Sequence, residues 1–241
     1  MEHSLRIAKS NDELADIFAS VLVKHINETP DDRCFSWVLS GGATPKMIFE
    51  KIALCYKDLT DWNKVNIFWG DERCVGPEDS ESNYKMARES LLDKVPVPSS
   101  NIFRIQGESF PADEAVRYAD QFLKNVNTVN GFPRADLLML GLGEDGHTAS
   151  IFPSNIQLFS SNKLFETAEH PQTKQKRITA TGKIINHAKM VVIIATGENK
   201  STVVARIINK SNGCDLLPAS CIRPEHGEVL WLLDQEAAKR L

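Results

Sequence analysis

Short apolar runs alternate along the chain with segments in which apolar residues recur every three or four positions. The runs predict buried strands, and the longer period predicts amphipathic helices. The predicted strands are Cys34–Ser40, Val65–Trp69, Ala135–Gly141, Arg177–Thr181, Lys189–Thr196 and Gly227–Leu233. Because strands and helices alternate, the pattern predicts an α/β fold with a mostly parallel sheet and helices on both faces.

The predicted helices lie between these strands. They are Asn11–Asn27 with Ser10 as N-cap, a helix beginning near Thr44 and Pro45, Ser82–Asp93, Pro111–Val126 and Glu198–Asn209. The stretch from Pro153 to about Lys176 is predicted to be less regular. Since the sequence has no repeat, low-complexity tract or flexible linker, we expect residues 1–241 to form a single domain.

Composition and charge narrow the class of protein. The chain is 42% hydrophobic and 25% charged, with a net charge of −4, which argues against a general nucleic-acid surface. The one dense basic cluster, Lys174–Arg177, is short and typical of a solvated loop. No apolar stretch approaches the roughly 18 residues that span a bilayer, and the N-terminus lacks the pattern of a signal peptide. We therefore expect a cytoplasmic protein with no membrane or nucleic-acid partner, and a monomer.

The cysteines are odd in number and scattered. They are Cys34, Cys55, Cys74, Cys214 and Cys221. No CxxC pair occurs, and no cysteine and histidine have zinc-finger spacing. Free thiols in a reducing compartment are the expectation.

Three predicted strands end abruptly in glycine or acidic residues. In open parallel sheets the carboxyl ends of the strands form the ligand crevice, so these three loops are expected to converge. The first loop is Leu39–Lys46, in which Gly41 and Gly42 let the backbone approach a ligand. The following helix start offers free N–H groups to an anion, and Thr44 adds a hydroxyl. The loop lacks Walker A spacing, and an ordinary strand–helix turn is the alternative.

The second loop, Gly70–Tyr84, begins with Asp71, Glu72 and Arg73. An arginine at a strand end suits a phosphate or carboxylate, which its planar guanidinium can hold through two hydrogen bonds. For the bare tripeptide, a surface salt bridge is the simpler alternative.

The third loop is Leu140–Pro153. Its glycines are Gly141, Gly143 and Gly146, which match the G-x-G-x-x-G of dinucleotide-binding proteins. Two observations argue against that function. The charges of Glu144 and Asp145 would repel a pyrophosphate, and Pro153 leaves little room for the required helix. We instead expect the glycines to display His147.

A histidine on a glycine-rich loop beside two carboxylates is a candidate general base. Neutral imidazole can take a proton from water near pH 7, and a carboxylate can fix its tautomer. Asp145 is the candidate orienting group, with Glu144 as the alternative. The remaining histidines lie in no comparable setting; they are His3, His25, His170, His187 and His226. Because the sequence has neither a G-x-S-x-G nucleophile motif nor an H-E-x-x-H zinc motif, we expect water as nucleophile, with no metal and no cofactor.

Together these segments resemble the 6-phosphogluconolactonases, which are relatives of the glucosamine-6-phosphate deaminases. The resemblance rests on SGGATP, DER, GLGEDGHTASIFP and, in the family's order, RITAT, TGENK, LPAS and LWLLD. Deaminases typically carry a glutamate five positions after the corresponding histidine and a tyrosine after Asp-Glu. Here those positions are Phe152 and Arg73, which favours a lactonase. Ala43 stands where lactonases often have serine.

The resemblance implies hydrolysis of 6-phospho-D-glucono-1,5-lactone to 6-phosphogluconate in the oxidative pentose phosphate pathway. It also implies a Rossmann-like sandwich with a small added subdomain, similar to the deaminase and ribose-5-phosphate isomerase group. The resemblance implies His147 as the base and Asp145 as its partner. The phosphate is expected to contact Gly41, Gly42, Thr44, Arg73 and Lys200, with Arg177 as a further contact. Asp71 is expected to bind sugar hydroxyls. The alternatives are a deaminase or sugar-phosphate isomerase, a non-catalytic sugar-phosphate sensor and a nicotinamide-dependent oxidoreductase.

Overall fold

Eleven strands form within residues 3–241, which the computed structural model describes. They are β1 (His3–Ala8), β2 (Phe35–Leu39), β3 (Val65–Trp69), β4 (Asp71–Arg73), β5 (Thr128–Val129), β6 (Phe132–Pro133), β7 (Leu137–Gly141), β8 (Phe165–Glu169), β9 (Lys176–Ala180), β10 (Met190–Ala195) and β11 (Glu228–Asp234). Six of them make a parallel sheet in the order β1-β11-β10-β7-β2-β3. Every residue of β2 and β10 is buried, as expected for strands covered on both faces.

In residues 3–241, six α-helices lie between these strands in the chain. They are α1 (Asn11–Asn27), α2 (Ala43–Lys51), α3 (Asn83–Ala87), α4 (Pro111–Asn125), α5 (Gly182–Ile185) and α6 (Ser201–Ile208). A π-helical turn extends α2 over Ile52–Tyr56 and α3 over Arg88–Leu92. Short 3-10 segments occupy Lys57–Leu59, Trp62–Lys64, Ser99–Asn101, Pro153–Ser160, Glu198–Lys200, Cys214–Leu216 and Pro218–Cys221. No helix in the described part of the chain is long and apolar enough to cross a membrane.

Packing around Trp37 shows how the helices hold the sheet. This β2 residue is fully buried, with the ring of Phe18 from α1 at 6.1 Å and that of Phe49 from α2 at 5.7 Å, centroid to centroid. Burial of aromatic side chains of this size stabilises the fold strongly. The connected core of buried apolar residues extends from Ala8 to Ala237.

The predicted α/β fold with a mostly parallel sheet is confirmed. Strand Val65–Trp69 and helix Asn11–Asn27 have the predicted bounds, and Ser10 caps that helix by accepting the N–H of Glu13 at 3.1 Å. The helix start predicted near Thr44 and Pro45 is confirmed to within one residue, since α2 begins at Ala43 after its N-cap Gly42. The start predicted at Glu198 is wrong, because Glu198–Lys200 forms a 3-10 turn and α6 begins at Ser201.

A second, antiparallel sheet in the order β4-β9-β8 departs from the prediction. The predicted strand Arg177–Thr181 lies here as β9, residues 71–73 form a strand rather than a loop, and β8 falls in the stretch predicted to be irregular. Gly70 joins the two sheets, since its N–H donates to Leu39 at 2.8 Å and its carbonyl accepts from Ala180 at 2.7 Å. This sheet is the small added subdomain expected from the resemblance.

The order of the strands fixes the position of the crevice. From β2 the chain continues to β3 on one side, and from β7 it continues to β10 and β11 on the other. Strands β2 and β7 are parallel neighbours, and the order in which the chain adds strands to the sheet reverses between them. Ligands of open α/β sheets bind at the carboxyl end of such a switch point. The loops after β2 and β7 carry Gly41 and His147, respectively.

Candidate active site

The loop after β7 is a tight turn that presents the His147 side chain. The N–H of Gly143 donates to the carbonyl of His147 at 2.8 Å, and the N–H of Gly146 donates to that of Gly143 at 3.0 Å. Gly146 has a φ of +81°, a left-handed conformation that glycine adopts without strain. The imidazole remains 32% exposed and can therefore be reached by a ligand.

Of the two candidate carboxylates, the structure places Asp145 against the imidazole. Its Oδ1 lies 2.6 Å from Nδ1 of His147 and also accepts the backbone N–H of that residue at 3.1 Å. Glu144 instead accepts a hydrogen bond from the amide of Asn199 at 2.6 Å. A carboxylate at Nδ1 favours the tautomer with the proton on that nitrogen, which leaves the lone pair of Nε2 for a substrate.

The ionisation of Asp145 reflects this contact. Burial acts to raise the pKa of the carboxyl, but the charge of a protonated His147 and the hydrogen bonds from that residue outweigh it. The net pKa of Asp145 lies below its usual value. Asp145 is therefore an anion at neutral pH, as a group that stabilises an imidazolium must be.

Gly143 lies so close to the side chains of His147 and Asp145 that a Cβ would collide with them. A Cβ at this position would lie 2.0 Å from Nδ1 of His147 and 2.6 Å from Oδ1 of Asp145. The segment that follows is a turn at Thr148–Ile151 and then the 3-10 helix Pro153–Ser160. A dinucleotide-binding loop would need an α-helix there, so this geometry agrees with the argument against that function.

Phe152 packs between His147 and two further side chains. Its ring is buried, and its centroid lies 4.8 Å from that of His147 and 5.1 Å from that of His170. The guanidinium carbon of Arg177 lies 5.9 Å from the same ring. Phe152 thus forms an apolar wall beside the imidazole.

Arg73 and Arg177 lie directly opposite each other on β4 and β9. The Nε atom of each is buried and without a hydrogen-bond partner, and neither arginine forms an ion pair with a carboxylate within residues 3–241. Burial lowers the pKa of Arg177; the charge of Asp71 opposes this effect, and that of Arg73 adds to it. Two guanidinium groups held together in this way favour an anion between them.

The two carboxylates that precede Arg73 in the sequence both accept hydrogen bonds in the structure. Asp71 is buried and accepts a hydrogen bond from Ser150 at 2.6 Å, and the same hydroxyl lies 3.5 Å from Nη1 of Arg177. Glu72 accepts the backbone N–H groups of Arg73, Asn83 and Tyr84 and the hydroxyl of Ser82. Burial raises the pKa of Glu72, and the backbone hydrogen bonds counteract this effect. Glu72 therefore anchors the start of α3.

The predicted anion loop lies at the start of α2. Gly42 has a φ of +108° and no side chain caps this end, so the first N–H groups of the helix are available to a ligand. Thr44 Oγ1 lies 2.8 Å from Thr196 Oγ1, which joins the loop to the end of β10. Gly41 is required because Asn83 lies against it; a Cβ would fall 1.8 Å from Asn83 Oδ1.

The structure thus forms three groups from the predicted site residues: His147 with Asp145; Arg73 with Arg177 and Asp71; and Gly41–Thr44 with the end of β10. Lys200 lies in the turn after β10, and its side chain forms no hydrogen bond or ion pair with any described residue. In residues 3–241, no cluster of three or more histidine, cysteine, aspartate or glutamate side chains could hold a metal ion.

His170 is a neighbour of the site that the sequence did not indicate. It lies in the turn between β8 and β9, and its Nδ1 accepts the N–H groups of Gln172 and Thr173 at 3.3 and 3.2 Å. Burial lowers its pKa, together with the charges of Arg177 and His147. Only the pairing of β8 with β9 brings it to Phe152, and no local motif marks that pairing.

The chain is similar to known proteins in sequence and in overall structure. A family model described as glucosamine-6-phosphate isomerases/6-phosphogluconolactonase matches residues 9–231. A 6-phosphogluconolactonase from Treponema pallidum is 36% identical over 196 residues, 81% of each chain. The structure of the 6-phosphogluconolactonase from Leishmania guyanensis is similar with a TM-score of 0.87 and 28% identity, covering 98% of each chain. A monomeric glucosamine-6-phosphate deaminase, 20% identical with a TM-score of 0.82 over 99% of this chain and 100% of its own, shares the fold. The chain belongs to the glucosamine-6-phosphate isomerase/6-phosphogluconolactonase family.

Proposed function

We propose that the chain hydrolyses 6-phospho-D-glucono-1,5-lactone to 6-phosphogluconate, the lactone-opening step of the oxidative pentose phosphate pathway. The observation that carries the proposal is the exposed imidazole of His147, with Asp145 at 2.6 Å, on the loop at the switch point of the sheet. The relatives named 6-phosphogluconolactonase support the same reaction. We propose further that residues 1–241 act as one domain and as a monomer in the cytoplasm, where the five cysteines, all free in the structure, would remain reduced.

In the proposed mechanism, Nε2 of His147 takes a proton from a water molecule that attacks the C1 carbonyl of the lactone. The resulting tetrahedral intermediate collapses with cleavage of the bond between C1 and the ring oxygen. The imidazolium then returns its proton to that oxygen, which becomes the C5 hydroxyl of the product. Asp145 orients the imidazole and stabilises its positive charge between the two transfers.

The phosphate of the substrate is proposed to lie among cations and N–H groups from several loops. The start of α2 contributes the backbone at Gly41 and Gly42 and the hydroxyl of Thr44, at the uncapped helix N-terminus. Arg73 and Lys200 supply charge, and Arg177 is a further candidate because its Nε has no partner. Asp71 is proposed to contact sugar hydroxyls through the oxygen that Ser150 leaves free.

Replacing Asp145 by asparagine should lower kcat by about 10²-fold. The amide keeps the shape of the side chain but loses its charge, and its NH₂ group can donate to Nδ1 and favour the wrong tautomer of His147. Steady-state kinetics on the phosphorylated lactone measure the effect. Glu144→Gln is the matched control, since Glu144 contacts Asn199 instead, and it should remain near wild type. Equal losses in the two variants would contradict the assignment of Asp145.

Replacing Lys200 by alanine should raise KM for the phosphorylated lactone by about 10- to 100-fold, because a hydrogen bond to a charged group is worth roughly 1.5–3 kcal/mol. The fold should be little affected, since the Lys200 side chain forms no hydrogen bond or ion pair with a described residue. The control is a non-phosphorylated lactone, on which wild type and variant should be equally slow. The phosphate role is wrong if both substrates lose the same factor.

The substrate class is tested by comparing the phosphorylated lactone with glucosamine 6-phosphate. We expect formation of 6-phosphogluconate from the first and no ammonia from the second, because the apolar ring of Phe152 stands beside His147 where a deaminase carries a glutamate. Ammonia release would assign the chain to the deaminase branch. Tight binding of 6-phosphogluconate without turnover of the lactone would instead indicate a sensor.

A further inference from the structure

A cavity of about 600 Å³ lies outside the site described above, between the end of α6, the edge strand β1 and the segment 214–223. Its apolar wall consists of Leu5, Ile207, Ile208, Ile222 and Trp231. Leu5 is opposite Trp231 in the register of β1 and β11, and it remains 43% exposed because α6, with eight residues, does not cover this edge of the sheet. The volume lies in the range of small-molecule sites in proteins.

The polar side chains of the cavity are few. Ser4 Oγ lies 3.5 Å from the carbonyl of Val229, and Nε of Arg223 donates to the carbonyl of Ser220 at 3.3 Å. The terminal nitrogens of Arg223 form no hydrogen bond with a described residue. Lys210 and Arg223 also line the cavity, and neither forms an ion pair with a described carboxylate. An apolar wall with two cations that form no ion pair with a described residue is complementary to a molecule that is apolar along its length and anionic at one end.

We propose that this cavity binds a small amphipathic anion, an apolar body of roughly ten carbon atoms that carries one carboxylate. The apolar body would lie against Trp231 and Ile222, and the carboxylate would meet Lys210 and Arg223. A concave site closed by three elements suits such a molecule better than a second protein copy, whose stable contact would need a broad surface of about 1,000 Å² or more.

The wall of the cavity is connected to the loop of the proposed base. Ala219, which lines the cavity, donates its N–H to the carbonyl of Gly146 at 3.0 Å. Leu217 packs so closely against the same glycine that a Cβ there would lie 2.9 Å from Leu217 Cβ. Gly146 immediately precedes His147, so a ligand that shifts the segment 217–222 also shifts the His147 loop. The proposed binding does not depend on what His147 does, whereas an effect of the ligand on catalysis rests on the proposed function of His147.

Isothermal titration calorimetry of the whole chain with decanoate tests the binding. We expect saturable binding with one molecule per chain, weakened about tenfold or more in the double variant Lys210→Asn with Arg223→Gln, which removes both charges. Asparagine suits position 210 because Lys210 has a φ of 50°. Lys94→Gln, which removes an exposed cation that does not line the cavity, should not change binding. 1-Decanol should bind wild type and double variant alike.

The proposal is overturned if decanoate gives no saturable heat, or if the double variant binds it as tightly as wild type. Formation of a dimer that abolishes decanoate binding would assign the cavity to a second copy of the chain.

The connection between the cavity and the His147 loop is tested with backbone amide NMR resonances. Saturating decanoate should shift the resonances of Gly146 and His147 in wild type and not in the double variant. Shifts confined to residues 207–231 would contradict the connection. None of these measurements uses the lactone, so their failure is separate from failure of the proposed function.

Discussion

Replacing His147 by alanine should lower kcat for the phosphorylated lactone by about 10²–10⁴-fold, the usual contribution of a general base. KM should change little, because the proposed phosphate groups lie on other loops and remain in place. The expected loss is the largest for any single side chain, since His147 both activates the water and protonates the leaving oxygen. The measurement is a coupled assay of 6-phosphogluconate, with the spontaneous hydrolysis of the lactone subtracted.

His226→Ala is the matched control for this variant. His226 is an exposed histidine at the other end of the sheet, where it precedes β11, and its replacement should leave kcat unchanged. An unchanged melting temperature in His147→Ala would show that the loss is chemical, as expected for a side chain on a surface loop. A kcat like that of wild type would exclude His147 as the base.

Replacing Gly143 by alanine should lower kcat by about 10²-fold without unfolding the protein. The added Cβ would meet Nδ1 of His147 at 2.0 Å and Oδ1 of Asp145 at 2.6 Å. Both atoms are at the ends of partly exposed side chains, which can swing outward more easily than the backbone can move. The pair would therefore lose its orientation while the core stays intact.

Gly141→Ala is the control in the same loop, because a Cβ there has no atom within 4 Å and the backbone is not left-handed. Its kcat and melting temperature should remain near wild type. Steady-state kinetics and thermal unfolding of both variants separate the two effects. Full activity in Gly143→Ala would mean that the contact between Asp145 and His147 contributes nothing to catalysis.

Most of the parallel sheet could be predicted from the sequence, because its strands are apolar runs that glycine or polar residues terminate. Among the elements that the sequence did not predict, β1 and β8 show the physical reasons. Strand β1 lies at the sheet edge, where Arg6 faces solvent, and its pattern is too mixed to be distinguished from a loop. Strand β8 carries Glu166 and Glu169, and its pairing with β9 stabilises it rather than burial of an apolar run.

The sequence predicted which loops form the candidate site, but not which of their side chains contact each other. The sequence made Asp145 the candidate partner of His147 and left Glu144 as the alternative, and the turn closed by Gly143 and Gly146 selects Asp145. His170 could not be found in the same way, since it reaches Phe152 through the long-range pairing of β8 and β9. Local motifs identify the reactive residues at strand ends. The second sheet, which completes the site, forms through pairing of distant segments that no local motif marks.

The most direct test of the central claim is the initial rate at which the wild-type chain opens freshly generated 6-phospho-D-glucono-1,5-lactone, measured against the protein-free reaction. We expect a rate above the spontaneous one, proportional to protein concentration, with 6-phosphogluconate as the product. The His147→Ala variant at the same concentration should return almost to the spontaneous rate. A wild-type rate equal to the protein-free rate would exclude the proposed lactonase activity.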